Sequence, residues 1–528
     1  MKDNGDGAAR LGLSRRKFLG RIGAGAAGAV TLGGTGLLPG PAPAAADTAA
    51  TNAAFRAGRF GRMFYLPAFG QPGPAMTAAL LDIGRPQGIL DARDNLAAGP
   101  LALIVDPALN VNNPNNVAQT AGTTFFGQFL DHDVTFDTGS LMGSPTAPEA
   151  TVNGRTPALD LDSVYGAGPV GSPQLYEPQD RAKFRVESGG LFEDLPRLPD
   201  LTAVIADPRN DENLIISGLH CAFLLAHNRA VDLVRAQGAT DVNDAFARAR
   251  RLITWHYQWM ALNELLPQFV GQALVDDILL RGRRWYRPPM GAAFMPVEFQ
   301  GAAYRMGHSM IRPSYLANVA GDNGQPFFAM VFDPTVSDGA DPPDLSGGHR
   351  ARRRFVGWQT FFDFGAGLRP NKLIDTKISS PLFALPMRAI ASRDTPVVLP
   401  QRTLLRHLTW MMPSGQAIAR QMGAPVLSPA DLRELSGYGL ALDSSTPLFY
   451  YVLKEAELQA GGRRLGAVGG RIVAEVIIGM LQTDPGSYLV QQPAWRPTLP
   501  RRNGTASGPF GMADFLTFAG VDPTSRGQ

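Results

Sequence analysis

Residues 213–235 read NLIISGLHCAFLLAHNRAVDLVR, with Leu214, Ile216, Leu219, Phe223, Leu224, Ala230, Leu233 and Val234 recurring at mixed spacings of three and four. That is the period of an amphipathic helix, about six turns long. Working outward, 245–268 and 469–481 carry the same periodicity, whereas runs that alternate apolar and polar residues are scarce. The expectation is a mainly α fold with long loops and little β structure. No Pro/Ser/Gly linker interrupts the helical region, so 47–528 is expected to form one large domain. Two segments between the helices are turn-rich. Residues 334–348 read as a surface loop, and 153–165 is unusually acidic and regular.

Composition narrows the chemistry. The 528 residues carry 49 Lys+Arg against 46 Asp+Glu, and 45% are hydrophobic, which is a globular balance. Six bases and two acids fall within 1–46, so the remainder is within one charge of neutral and does not read as a nucleic-acid binder. The 59 Gly and 43 Pro explain why long irregular connections are expected. A single cysteine, Cys221, excludes a disulfide framework and any all-cysteine metal site, leaving histidine and oxygen ligands.

The first segment reads as an address. Ser14-Arg15-Arg16-Lys17-Phe18-Leu19 precedes a weakly apolar run over 22–38 and the small residues Pro41-Ala42-Pro43-Ala44-Ala45-Ala46. It resembles a bacterial twin-arginine export signal cleaved near Ala46. The run is short and Gly-rich for a lipid-spanning anchor, so no stable membrane span is expected. That predicts recognition by the twin-arginine export machinery and a periplasmic or extracellular location. Because this route carries folded proteins, it favours a cofactor enzyme.

Four clusters carry chemistry. In Phe125-Phe126-Gly127-Gln128-Phe129-Leu130-Asp131-His132-Asp133, helical geometry puts Gln128, Asp131 and His132 on one face, at i, i+3 and i+4. An amide, a carboxylate and an imidazole together suit a proton-transfer site, although the same trio also describes a satisfied core network. In Asp207-Pro208-Arg209-Asn210-Asp211-Glu212-Asn213, Arg209 and Glu212 share a face at a helix start, where acids and surface ion pairs are also common. Tyr304-Arg305-Met306-Gly307-His308-Ser309-Met310 offers a lone histidine beside methionines, either a ligand or an ordinary core residue. In Thr156-Pro157-Ala158-Leu159-Asp160-Leu161-Asp162, an extended loop would point Thr156, the Ala158 carbonyl, Asp160 and Asp162 to one side. Such an oxygen set suits a hard cation such as calcium, with an Asx-rich turn as the competing reading. His220 and His227 read as packing or hydrogen-bonding residues.

In this order the four clusters resemble the animal-type haem peroxidase superfamily, over nearly all of the chain after the signal. The resemblance implies a large helical haem peroxidase domain holding haem b. It implies that hydrogen peroxide is reduced through a ferryl intermediate and a small organic or halide donor is oxidised. His132 would then be the distal acid–base, Arg209 the charge stabiliser and Gln128 a hydrogen-bond donor to distal ligands. His308 would be the axial iron ligand, with Thr403, in Arg402-Thr403-Leu404-Leu405-Arg406, standing where the family places an asparagine to accept the imidazole N–H. Arg305 and Arg406 would pair with haem propionates. Asp131 and Glu212 correspond to the residues that form ester links to haem in covalent members, while Asn213 replaces the methionine that forms a third link in myeloperoxidase. Asp133, Thr156, Ala158, Asp160 and Asp162 would hold calcium.

Two other readings stay open. One is a fatty-acid dioxygenase of the same superfamily, whose radical tyrosine lies three residues before the axial histidine. That position is Arg305 here, with Tyr304 one step earlier. The other is a non-catalytic haem-binding or adhesive module, which predicts loss of His132 or Arg209, and both are present.

Overall fold

The computed structural model describes residues 58–321, 323–336, 339–502 and 509–528. The export-signal reading of 1–46 lies outside them. The fold is mainly α, about 46% helix and 10% strand.

The helices that frame the interior are α1 (Pro74–Ile83), α2 (Ala121–Val134), α3 (Leu214–Ala236), α4 (Val242–Met260), α5 (Leu399–Thr409), α6 (Leu448–Ala460), α7 (Ala467–Thr483) and α8 (Met512–Ala519). α3 packs along α4, α8 and α2, and α6 lies against α7. The periodicity over 213–235 is thus realised almost residue for residue. Asn213 caps α3, its side-chain oxygen accepting from the Ile215 and Ile216 amides at 3.1 and 3.0 Å. α3 is long and apolar enough to cross a membrane, but it is a core helix with 83% of its apolar window buried.

The helix read over 245–268 is not uniform. α4 ends at Met260, a π-helical turn spans Ala261–Leu265, and a short helix continues over Leu266–Val270. Pro267 has no amide hydrogen to give the carbonyl four residues back, so the regular ladder breaks there. The break places Phe269 in the wall of the central cavity.

Strands are short and peripheral. β1 (Gly58–Gly61) runs antiparallel to β3 (Val152–Asn153) and parallel to β6 (Met295–Pro296), with Gly58 opposite Asn153 and Phe60 opposite Met295. β2 (Asn115–Thr120) pairs with β9 (Pro370–Lys372) just before α2 begins, and β4 (Glu187–Ser188) pairs with β5 (Glu193–Asp194). β7 (Ser314–Asn318) and β8 (Phe327–Met330) form a hairpin just after His308.

The reading of 334–348 as a surface loop needs correction. Its second part turns inward, with Asp344, Leu345 and Ser346 buried. The Gly347 amide donates to the Glu212 carbonyl at 2.9 Å. Arg354, itself fully buried, donates to the carbonyls of Pro342, Asp344, Ser346 and Gly347, satisfying a turn that would otherwise need water.

Candidate active site

α2 supplies the first group. Twelve of its fourteen residues are buried, and Phe125 and Phe129 anchor it in aromatic contacts, Phe129 stacking on Phe223 of α3 at 4.6 Å. With that side fixed, Gln128, Asp131 and His132 all line one cavity, as helical spacing predicts. The cavity holds about 1370 Å³ of empty space, mouth included.

The turn before α3 supplies the second group. Asp207 caps a 3₁₀ turn over Pro208–Asp211 that puts Arg209 and Glu212 in the same cavity wall. Arg209 does not form a surface pair with Glu212. Its Nε and Nη2 grip the Asp207 carboxylate at 3.0 and 2.7 Å, Nη2 also donates to the His132 carbonyl at 2.9 Å, and the guanidinium lies 4.2 Å from the Phe136 ring centre. Burial alone would raise the Asp207 carboxyl, but Arg209 and Arg155 outweigh it and hold it well below the carboxylate range. Arg209 is therefore a fixed cation.

His132 Nδ1 lies 2.9 Å from Asn210 Oδ1, and Asn210 Nδ2 lies 3.0 Å from His220 Nδ1. His132 Nε2 faces Glu212, 3.9 Å from Oε1, and Gln128 Nε2 donates to that same oxygen. Burial, reinforced by Arg209, pushes the His132 imidazole down to about 3, so it is neutral at working pH. Burial pushes Glu212 up to about 8. Asp131 is raised by burial against the opposing pull of Arg305, Arg209 and Arg406, and its carboxylate has no hydrogen-bond partner among the described residues.

His308 lines the same cavity from a third segment, a short helical turn over Gly307–Met310. Its Nδ1 lies 3.4 Å from Thr403 Oγ1 on α5, while Thr403 Oγ1 donates to the Leu399 carbonyl at 3.1 Å. That leaves an oxygen lone pair for the imidazole N–H. Burial, then Arg305, hold His308 well below its usual value. Arg305 donates from Nε to the Gln300 carbonyl at 2.8 Å and keeps its two Nη groups without a hydrogen-bond partner among the described residues. Arg406 differs from the sequence expectation: its Nη1 is bound to the buried Asp137 carboxylate at 2.5 Å.

The acidic loop also takes shape. Asp133, directly after His132, joins Asp160 and Asp162, their carboxylate oxygens lying within 4.8 Å of one another. The loop is not extended throughout. Leu161 takes a left-handed φ of 60° and Asp162 starts a short helix, a bend that folds the two aspartates back toward Asp133. The Leu161 amide and the Ser163 hydroxyl donate to Asp133, each at 3.1 Å, and the Thr156 amide donates to Asp162 at 2.8 Å. Burial and mutual repulsion push the three carboxyls up to about 7, 8 and 7. Asp162 Oδ1 has no hydrogen-bond partner among the described residues.

Sequence reasoning missed Arg155, Asp207, Asn210 and Asp137. Arg155 Nε binds Asp207 at 2.7 Å and lies 3.8 Å from Asp162, so one guanidinium ties the acidic loop to the carboxylate that holds Arg209. These partners are distant in sequence, apart from Asp207 and Asn210, which lie inside the quoted Arg209 motif.

Comparison with known proteins bears on the family and the fold. Residues 138–337 match the family model described as animal haem peroxidase, a span that includes Arg209, Glu212 and His308. Rat thyroid peroxidase is 25% identical over 229 residues, covering 39% of this chain, and the matched segment spans about a quarter of that protein's length. Peroxidase A from Dictyostelium discoideum has the same fold, with a TM-score of 0.58 at 16% identity, covering 82% of this chain and 89% of that one. A fatty acid α-dioxygenase from Oryza sativa, solved as a variant with palmitic acid, gives a TM-score of 0.50 at 15% identity over 70% of this chain and 69% of that one. Over 138–337 the chain is thus similar to the animal haem peroxidases, and its fold is like that of peroxidase A.

Proposed function

We propose that the protein is a haem-dependent peroxidase that reduces hydrogen peroxide and oxidises a small organic or halide donor. The observation that carries this reading is the convergence of His132, Arg209 and His308 on one cavity from three segments far apart in sequence.

The donor set fits haem. Among the described residues, the His308 imidazole has Nδ1 engaged and Nε2 without a hydrogen-bond partner, which would suit an iron ligand, and the Arg305 Nη groups, likewise without one, would suit an anionic carboxylate. Among the described residues, Asp131 is a cavity-lining carboxylate without a hydrogen-bond partner, and Gln300 Oε1 is a buried acceptor without one. His308 would hold the iron, and Asp131 and Glu212 would be the sites of any ester link. Arg406, already neutralised by Asp137, contributes less to propionate binding than Arg305.

Bound haem supplies the redox equivalents that take electrons from the donor and deliver them to peroxide. The chain's own residues do the rest. Neutral His132 accepts the peroxide proton at Nε2 and returns it to the departing oxygen. Arg209, held rigidly by Asp207, stabilises the negative charge that develops as the O–O bond breaks. Gln128 and Glu212 form a hydrogen-bonded pair beside Nε2 and orient what approaches it. Thr403 holds the His308 ring.

Calcium belongs to the same reading: three buried carboxylates this close, one with an oxygen that accepts no hydrogen bond, suit a hard cation. It would lock the end of α2, and with it His132, against the 156–162 loop. Export by the twin-arginine route, with a periplasmic or extracellular location, completes the proposal and rests on residues 1–46 alone.

The test is haem reconstitution of the chain, followed by peroxide-dependent oxidation of a phenolic donor, with His308→Ala as control. Turnover in the wild type and loss of normal axial ligation in the variant support the reading; an unchanged haem spectrum in His308→Ala overturns the ligand assignment.

One observation favours fatty-acid oxygenation as a second reading. Although displaced by one residue from the expected position, Tyr304 lines the cavity and donates to the Gly127 carbonyl at 3.2 Å. Val331, Phe332, Leu385 and Ile390 add an apolar wall. Oxygen uptake with palmitic acid that disappears in Tyr304→Phe would select this reading; its absence leaves peroxidase chemistry.

A further inference from the structure

Asn210 is fully buried in the turn between Asp207 and α3, with its backbone amide bound to the Asp207 carbonyl at 3.0 Å. Its side chain bridges two histidines from different helices, His132 near the end of α2 and His220 two turns into α3. An amide has one accepting and one donating end, so it imposes opposite demands on its two neighbours. With Oδ1 toward His132, the Nδ1 of that ring must carry the proton. With Nδ2 toward His220, the Nδ1 of that ring must accept.

We propose that Asn210, held in orientation by His220, is a positioning residue that fixes His132 as the tautomer protonated on Nδ1, leaving the Nε2 lone pair directed into the cavity. The inference rests on the proposed role of His132 as peroxide base.

A neutral imidazole has one protonated nitrogen, and a base needs the lone pair on the nitrogen that faces its substrate. If the Asn210 amide turned over, Nδ2 would donate to His132 Nδ1, and Nε2 would carry the proton and be useless for abstraction. His220 opposes that turn because its Nδ1 lone pair would then meet the amide oxygen. His220 is buried, packs edge-on against Phe129 at 6.5 Å, and burial lowers its proton affinity, so it keeps that lone pair. Arg209 holds the backbone of His132 through its carbonyl, so ring orientation and main chain are fixed by separate partners.

The test uses the haem-loaded full chain and two readouts. In the reduced protein with carbon monoxide as probe, a ring N–H facing the bound gas lowers its infrared stretching frequency, and a lone pair does not. The second readout is the bimolecular rate constant for hydrogen peroxide. Asn210→Leu, close in volume, should lower the C–O stretch and slow the peroxide reaction by about 10–100-fold, the usual cost of losing a group that orients a functional imidazole. Asn210→Asp, which keeps an acceptor at Nδ1, should restore the wild-type stretch and bring the rate back to within about fivefold of wild type, a fraction of what a positioned base contributes. His220→Leu should give a mixture of two C–O bands. An unshifted band and an unchanged rate in Asn210→Leu overturn the inference, and so does a failure of Asn210→Asp to restore them. A wild type that binds carbon monoxide but does not react with peroxide overturns the base role instead, which separates the two failures.

Discussion

The two walls of the cavity are built differently. On the His132 side three of the four functional groups on the distal helix and turn have partners that are themselves held, with Asp131 the exception: His132 leads to Asn210 and His220, Arg209 to Asp207 and Arg155, Gln128 to Glu212. On the His308 side, the imidazole has one hydrogen-bond partner among the described residues, Thr403 at 3.4 Å, beside an edge-on contact with the Phe449 ring at 6.0 Å, and Arg305 is tethered through Nε. The proposed proton transfer would need atoms placed within a few tenths of an ångström before the reaction starts, which fits groups fixed by protein. His308, the proposed iron ligand, is oriented by fewer protein partners, with Thr403 the one that meets its Nδ1.

Substitutions on the two walls should therefore differ in kind. The largest rate effect is expected for His132→Leu, which removes the proposed base and should lower the peroxide rate constant by about 10²–10⁴-fold with haem retained. Because burial and Arg209 press His132 down to about 3, the wild-type rate constant should stay flat as pH falls through 6.5 toward 4. An inflection near 6.5 would show a solvated, unlocked ring. Next comes Arg209→Lys. A lysine cannot hold Asp207 with two donors and reach the His132 carbonyl as well, so a loss of about 10²-fold is expected, the cost of one preorganised donor.

A smaller effect, on stability, should follow chelation of the proposed calcium ion. The three aspartates have folded-state values raised to about 7, 8 and 7, so without a cation the folded chain retains protons that the unfolded chain releases near 4. Cation-free stability then falls as pH rises from about 4 to 8. Chelation should lower the Tm more at pH 8.5 than at pH 6, and equal shifts would argue against a cation in this cluster. The smallest rate effect is expected for Thr403→Val, which removes the acceptor that His308 Nδ1 has among the described residues. It should raise the haem reduction potential and change the peroxide rate constant by less than about tenfold, at or below the low end of what orienting partners cost. A Thr403→Val loss as large as that of His132→Leu would erase the contrast between the walls.

What the sequence makes legible follows from the range of the interactions. Gln128, Asp131 and His132 read as one face because helical spacing is local, and the core helix over 213–235 is legible for the same reason. The π turn before Pro267 is signalled by the proline, but where it sends Phe269 is not. Asn210 stands in plain view inside the Arg209 motif. Its meaning depends on His132, 78 positions away, which no local pattern can supply. Arg406 reads as a propionate partner, yet Asp137, 269 positions away, already claims it. The inward turn of 344–347 is hidden likewise, because its carbonyls are satisfied by Arg354, a residue that composition alone places at the surface.

The most direct measurement is rapid mixing of the haem-reconstituted chain with hydrogen peroxide, following the Soret band over milliseconds in wild type and in His132→Leu. A fast change is predicted in the wild type, reversed by a phenolic donor, and a change at least about 10²-fold slower in the variant, the lower end of a general base's contribution. Equal rates in the two proteins, or a wild type whose Soret band does not respond, would contradict the role of His132 as the peroxide base.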